Sequence, residues 1–199
     1  SLNCYRGSII KDHNTPFMDQ LARLMKDRLT KNNFLAGLVE AGKLNTKQKW
    51  KKMDEVDLDF PEMELEDLRQ LFFGTYQIKQ CQTYAEEHLD VNGDFSIQVS
   101  KETDDIIRCA IQSRHSNSTR YYVWIQFSLL GDPITSWYCQ CKSGARTIGA
   151  CAHEATIIWY LSYARYHNFK GSSGRRRIQQ SIEKIMESES EEEDDNNTC

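Results

Sequence analysis

Two closely spaced pairs of metal-type ligands constrain this chain more than any other feature. One residue separates Cys139 from Cys141, and one residue separates Cys151 from His153. The nine residues between the pairs include two glycines, so this loop can fold back and close a site. If Cys139 and Cys141 lie on a strand, both side chains point to one face. The sequence therefore predicts a closed structural Zn²⁺ site with four protein ligands, Cys139, Cys141, Cys151 and His153.

Two other interpretations of this cluster stay open. The three cysteines and the histidine could simply be neighbours in a core. Alternatively, Cys151 could act as a nucleophile with His153 as its base, but residues two apart at a helix start point in different directions and no orienting residue stands out. The acids of the chain also form no strand-borne carboxylate set. We therefore expect no active site, and no small-molecule substrate, in this chain.

Cysteine usage and hydropathy indicate the compartment. The other four cysteines, Cys4, Cys81, Cys109 and Cys199, are scattered, which argues against a disulfide framework. No stretch approaches the roughly 20 apolar residues of a membrane span, and no charged start leads into an apolar signal core. We expect a soluble intracellular protein without a membrane partner. Because the first residue is Ser1, we also expect the chain to be a piece of something longer.

The pattern of apolar residues predicts an α+β fold. Residues 12–15 supply capping side chains, and Pro16 stands at the first position of a helix that reaches about Leu29; a short second helix ends at Gly42. The charged, aperiodic segment 43–62 is typical of a linker. From Met63 to about residue 89, helical periodicity with a break at Gly74 predicts two helical pieces.

The second half of the chain predicts a small antiparallel sheet. Alternating apolar residues in the segments 95–99, 107–111 and 121–127 indicate three strands, and the segment 134–141 a fourth that delivers the first cysteine pair. An apolar helix after Cys151 then packs on the sheet. We predict three parts: 1–60, a helical region and linker, possibly the end of a missing upstream domain; 61–168, an α+β domain; and 169–199, a disordered basic-then-acidic tail.

The order of strands, C-x-C, loop, C-x-H and apolar helix resembles a SWIM-type zinc finger over about residues 121–163. Cys139, Cys141, Cys151 and His153 match its four ligand positions. The segments "SWYCQCKSGARTIGACAH", "GTYQIKQCQTYAEEHL" and "IQSRHSNSTRYYVWIQF" further resemble the C-terminal part of transposon-derived proteins, in which a DDE-type transposase domain precedes the finger. The resemblance implies zinc, a nuclear location, and DNA or a protein as partner. A missing upstream DDE domain could be catalytic.

Charge gives limited support to a DNA partner. Without the seven acids of the segment 187–195, 25 basic residues face 22 acidic ones, so the rest of the chain is mildly basic. Candidate phosphate contacts near the finger are Lys142, Arg146, Arg165, Lys170, Arg175, Arg176 and Arg177. They could equally be solvated surface charge. The alternative function is a protein-interaction or oligomerisation module in which zinc is purely structural and the apolar stripe of the first helix is an interface.

Overall fold

The computed structural model describes residues 15–53, 58–88, 95–113, 116–144, 148–167 and 169, and it confirms the α+β class. Within these residues the helices are α1 (Thr15–Thr30), α2 (Phe34–Glu40), α3 (Leu65–Leu71), α4 (Tyr76–His88) and α5 (Ala152–Trp159). The strands are β1 (Trp50–Lys52), β2 (Ile97–Ser100), β3 (Ile106–Ser113), β4 (Ser116–Phe127) and β5 (Ile134–Cys139). A short π-helical segment, Tyr160–Ala164, continues α5.

The five strands form one antiparallel sheet in the order β1-β2-β3-β4-β5. The four strands predicted from alternation are confirmed. β1 lies inside the segment 43–62 that we interpreted as a linker, and Trp50 pairs with Ser100 there. The reason for this difference is that a strand of three residues is too short to show a period of two, and two of its residues are lysines.

Alternation along β4 divides the sheet into two faces. Val123 and Ile125 point to one side and pair with Cys139 and Trp137 of β5, whereas Trp124 points to the other. We call the side of Val123, Ile125 and Cys139 the Cys face, and the side of Trp124 the Trp face. Because side chains alternate on every strand, each face collects one residue in two from all neighbouring strands.

The Cys face carries the main core. Helices α3, α4 and α5 cover it, and their most buried apolar residues pack with those of β2, β3 and β4 in a single cluster. The largest side chains that are fully buried here are Phe60, Phe72, Leu68, Ile107, Ile111, Ile125, Ile157, Ile158 and Leu161. Burial of this many large apolar groups supplies most of the stabilisation that a domain of this size needs.

The Trp face carries a smaller core under α2. Leu35 and Val39 of α2 pack against Trp124, and Trp50 joins them from β1. The helix begins after Asn33, whose side-chain Oδ1 accepts a hydrogen bond from the Ala36 N–H at 3.0 Å. α2 covers only part of this face, so the rest is left for solvent or a ligand.

The predicted helix breaks are confirmed at two glycines. Gly42 follows α2 with φ of 72°, and Gly74 separates α3 from α4 with φ of 139°. Both values lie in the left-handed region, where a residue without Cβ is favoured. Residues 12–14 of the proposed capping stretch lie outside the described part of the chain, as does the tail after Phe169, and Thr15 is the first residue of α1.

Helix α1 forms as predicted, but its apolar stripe is not buried. Met18 is 54% exposed and Leu29 is 66% exposed, while Leu21, Leu24 and Met25 are half-buried. Arg28 holds the helix to the rest of the chain, because its Nη1 donates to the carbonyl of Leu71 at 2.7 Å. Across the described residues, no helix combines the length and the apolar character that crossing a membrane requires. The division into three parts at residues 60 and 168 stays a prediction.

Candidate metal centre

The structure brings the four predicted ligands together. One ligand atom from each of Cys139, Cys141, Cys151 and His153 lies within 4.8 Å of the other three. Nδ1 of His153 is 3.8 Å from Sγ of Cys139 and 3.9 Å from Sγ of Cys151. The three cysteines are free thiols, and all three are buried. The two ligand pairs, which nine residues separate in the sequence, therefore face a common point between β5 and α5.

The first cysteine pair converges through a turn and not through a strand. β5 ends at Cys139, so our expectation that both cysteines lie on one strand face is wrong for Cys141. The turn folds tightly: the backbone N–H of Cys141 donates to Sγ of Cys139 at 3.4 Å, and the N–H of Gly144 donates to Sγ of Cys141 at 3.2 Å. Backbone donors aimed at sulfur stabilise thiolates, which are the form that binds a metal.

Gly144 is required by this turn for steric reasons. A Cβ at this position would lie 2.6 Å from the carbonyl oxygen of Cys139 and 2.8 Å from its Cβ. Any larger residue would therefore displace a ligand's own backbone. From the sequence, this glycine only indicated a flexible loop, and its close approach to Cys139 could not be read from spacing.

The second pair is presented by the start of α5. Cys151 is the N-cap residue of this helix, and its backbone N–H donates to Oε2 of Glu154 at 2.7 Å. His153 lies in the first turn and directs Nδ1 to the cysteine sulfurs. The cap fixes where α5 begins and thereby the positions of both ligands. Sequence analysis missed Glu154, although its place three residues after Cys151 is the spacing of a capping box.

Glu154 is an acid buried beside three thiols. It is 0% exposed, and its Oε1 has no hydrogen-bond partner among the described residues. Burial raises the pKa of its carboxyl to about 8, because a charged carboxylate loses its hydration there. The uncharged form of this acid is therefore favoured far more than it is for an exposed glutamate.

The thiols are electrostatically coupled. Hydrogen bonding with the Cys139 and Cys151 thiols lowers the pKa of the Cys141 thiol, while hydrogen bonding with the Cys139 and Cys141 thiols raises the pKa of the Cys151 thiol. The three thiols thus readily hold one negative charge between them, but they hold three only when a cation binds to the cluster. A divalent metal supplies that cation and reduces the net charge of three thiolates to about one negative charge.

The distances fit a tetrahedral zinc ion. Bonds of about 2.3 Å to sulfur and about 2.0–2.1 Å to nitrogen place a tetrahedral sulfur and nitrogen about 3.6 Å apart and two sulfurs about 3.8 Å apart. The two sulfur–nitrogen distances of 3.8 and 3.9 Å are slightly longer, and all four ligand atoms lie within 4.8 Å of one another, so small inward shifts would bring them to bonding distance of one ion. Three soft sulfur donors and one imidazole also form a donor set that zinc prefers. The group could hold a metal ion without a large rearrangement.

Two aromatic rings flank the histidine. The Tyr84 ring meets the His153 ring edge-on at 5.3 Å, and the Tyr121 ring lies 5.2 Å away at a tilt of 51°. Tyr84 is itself fixed by its hydroxyl, which donates to the carbonyl of Gln112 at 3.0 Å. These contacts position the imidazole.

The predicted phosphate contacts are only partly described by the structure. Lys142 is exposed beside the cluster and makes no ion pair with a described residue. Arg165 is used inside the fold, since its Nη2 donates to the carbonyl of Phe60 at 3.2 Å and to the hydroxyl of Tyr166 at 2.6 Å. The remaining five candidates, Arg146, Lys170, Arg175, Arg176 and Arg177, lie outside the described residues.

Comparison with protein-family models, with curated proteins and with solved structures finds no match to this chain. The centre is therefore characterised by its own geometry: three buried thiols and one imidazole nitrogen that face a common point and could bind one metal ion.

Proposed function

We propose that the chain binds one Zn²⁺ through Cys139, Cys141, Cys151 and His153, and that the metal is structural. The observation that carries the proposal is the mutual approach of all four ligand atoms within 4.8 Å. All four positions of a tetrahedral zinc ion are then protein ligands, and none is left for water or substrate. His153 Nδ1 is nearly equidistant from two sulfurs, as ligands on a shared ion are, which favours metal binding over a nucleophile–base pair.

The finer assignment is a SWIM-type finger of a transposase-derived protein. It is supported by the ligand order C-x-C, loop, C-x-H and by its placement, with β5 ending at the first cysteine and α5 starting at the third. In this proposal the chain is the non-catalytic, nuclear part of its parent. The finger joins β5 to α5 and so closes the Cys face.

Metal analysis tests the zinc site. The full chain, purified without added metal, is expected to contain about one zinc per chain, and Cys151→Ser is expected to lose both the zinc and part of its folded structure. Cys109→Ala is the matched control, because Cys109 is equally buried on the Cys face but lies outside the cluster. A well-folded parent without bound metal contradicts the proposal.

The proposed action of the module is nucleic-acid binding. Support comes from the exposed Lys142 beside the centre and from the basic triplet at 175–177. The affinity of binding through phosphates should fall steeply with salt concentration, because each phosphate contact releases about one counterion. Duplex DNA titrated at several salt concentrations, with the triplet Arg175→Gln, Arg176→Gln and Arg177→Gln as the variant, tests this role. Affinity that is unchanged by salt and by the triplet variant contradicts it.

A protein-interaction module is the second candidate, and helix α1 is the observation that favours it. The helix exposes Met18 and Leu29 from one apolar stripe. Such faces on soluble domains mark contacts with another chain. Sedimentation of the full chain and of Leu29→Glu tests this role, with Leu130→Glu as control, since Leu130 is 88% exposed and lies in the turn between β4 and β5, outside α1. Self-association that only the α1 variant abolishes supports the interaction module.

A further inference from the structure

A buried cation without an anion lies on the Trp face, opposite the metal centre. Arg108 is 5% exposed, and its guanidinium carbon is 4.5 Å from the centre of the Trp50 ring and 5.0 Å from that of Tyr122. Its Nε and Nη2 donate to Oε1 of Gln98 at 2.9 and 2.6 Å. No carboxylate of the described chain forms an ion pair with it. Buried charges are normally paired, so this one lacks an expected partner.

The neighbouring amides add further free donors. Because a guanidinium only donates, the carbonyl oxygen of Gln98 must face Arg108, and its Nε2 is left over. Likewise, Oε1 of Gln140 accepts from the backbone N–H of Tyr122 at 3.1 Å, and its Nε2 is left over. Neither NH₂ group has a partner among the described residues. The guanidinium of Arg108 and the N–H of Tyr122 thus fix the orientation of the two amides. The NH₂ groups of Gln98 and Gln140 that remain can only donate.

These groups border one cavity. Its volume is about 470 Å³, and Lys47 and Trp124 line it together with Gln98, Arg108, Tyr122 and Gln140. This lies within the range of roughly 300–1,000 Å³ that small-molecule sites occupy. The indole N–H of Trp124 is buried here without a described partner, and the Tyr122 side of the cavity is open, with that residue 39% exposed. The remaining described residue that lines the cavity is Asn45, and none of the described lining side chains is acidic.

We propose that this cavity, which we call the donor pocket, binds single-stranded nucleic acid. One base lies against the exposed Tyr122 ring, and acceptor oxygens of the nucleotide meet the free N–H groups of Arg108, Gln98 and Gln140. The choice of a nucleic-acid ligand rests on the proposed function, whereas the need for an anionic, acceptor-rich ligand comes from the pocket alone.

A nucleotide fits the pocket better than an acidic peptide does. A carboxylate would satisfy the charge of Arg108 but would leave the ring of Tyr122 unused. A nucleotide supplies both an anion and a flat ring, and aromatic side chains on a sheet beside basic groups are a common way to bind unpaired bases. Duplex DNA hides its base faces, so the pocket should prefer a single strand.

Fluorescence anisotropy with a short single-stranded thymidine oligonucleotide tests the proposal on the zinc-loaded full chain. Tyr122→Ala is expected to weaken binding roughly 5- to 100-fold, in line with the loss of one stacked base. Gln140→Glu keeps the acceptor for the Tyr122 N–H and replaces the free donor with a negative charge, so it should also weaken binding. Tyr76→Ala and Gln20→Glu, exposed matched controls on α4 and α1, should bind as the parent does.

The zinc content of every sample separates this proposal from the zinc proposal. If both pocket variants lose oligonucleotide binding but retain zinc, the donor pocket is supported. If the parent contains no zinc but binds the oligonucleotide through the pocket, the donor pocket is supported and the zinc proposal is contradicted. A zinc-loaded parent that does not bind the oligonucleotide, or that binds it equally after Tyr122→Ala, overturns the donor pocket. Binding of polyglutamate in place of the oligonucleotide, lost in both variants, also overturns it in favour of an acidic peptide.

Discussion

The two faces of the sheet have opposite electrostatic needs. On the Cys face, three buried thiols and a half-buried imidazole converge on one point that suits a cation, and α3, α4 and α5 cover the core around it. On the Trp face, no carboxylate of the described residues pairs with the cation Arg108, and α2 covers only part of the surface. The sealed side suits a permanent structural ion, whereas the open side suits a ligand that comes and goes. The same strands therefore support the fold on one side and present chemistry on the other.

The largest expected effect is the loss of a ligand on the Cys face. Cys141→Ala should remove the metal and destabilise the fold by at least about 5 kcal/mol, since metal loss is among the few changes of that size. Cys109→Ala, on the same face, should cost only roughly 1–2 kcal/mol for a small cavity and keep the metal. Urea unfolding and metal analysis measure both. Equal losses in the two variants would mean that the cluster is ordinary core.

A pair of glycine substitutions compares the faces next. Gly144→Ala should destabilise the fold by about 1–3 kcal/mol and weaken zinc binding, because the new Cβ meets the backbone of Cys139. Gly37→Ala on α2 meets no atom within 4 Å and should stabilise the chain by about 0.5–1 kcal/mol. Thermal unfolding and competition with a zinc chelator are the measurements. Unchanged zinc affinity in Gly144→Ala would show that this turn is not needed for the site.

The cap of α5 gives a smaller effect. Glu154→Ala removes the acceptor for the buried N–H of Cys151 and should cost about 1–2 kcal/mol. Glu154→Gln keeps an acceptor oxygen, and because burial already holds the carboxyl largely neutral, it should cost less than about 1 kcal/mol. Thermal unfolding at pH 7 compares them. A larger loss of stability in Glu154→Gln than in Glu154→Ala would indicate that a charged Glu154 is needed.

The smallest expected effect is on the Trp face. Arg108→Met should change stability by no more than about 1 kcal/mol and leave zinc content unchanged, because the cation has no carboxylate and its removal relieves a desolvation cost. The methionine fills similar space between Trp50 and Tyr122. Urea unfolding of the parent and the variant measures this. A decrease of several kcal/mol in the free energy of unfolding would show that contacts within the fold already compensate the charge of Arg108. The contrast between the two faces would then no longer hold.

The local elements could be predicted because each has its own signal. The stripe from Phe17 to Leu29 and the alternation along 121–127 specify a helix and a strand without tertiary information. Strand β1 could not be predicted, because three residues show no period and because Trp50 joins the sheet only by pairing with Ser100. The exposure of the α1 stripe was likewise beyond prediction, because a pattern shows which face is apolar and not what covers it.

The ligands of the centre could be predicted, but not how the chain positions them. Spacing alone indicated Cys139, Cys141, Cys151 and His153. The turn after β5 and the N-cap of α5 are tertiary features: the turn has no room for a Cβ at Gly144, and the cap depends on the 2.7 Å hydrogen bond from Cys151 N–H to Glu154. That Arg108 has no ion pair within the described part of the chain is equally invisible in the sequence, because which residues lie near it is a property of the folded chain.

Cobalt substitution of the metal-stripped full chain tests the central claim most directly. Co²⁺ takes the same tetrahedral geometry as zinc at such sites, and its visible and sulfur-to-metal absorption reports both the geometry and thiolate ligation. We predict intense tetrahedral bands that saturate at one Co²⁺ per chain, that are abolished by one equivalent of Zn²⁺, and that are absent from Cys151→Ser. Weak octahedral absorption, or a titration that does not saturate at one ion, would contradict a closed Cys₃His site.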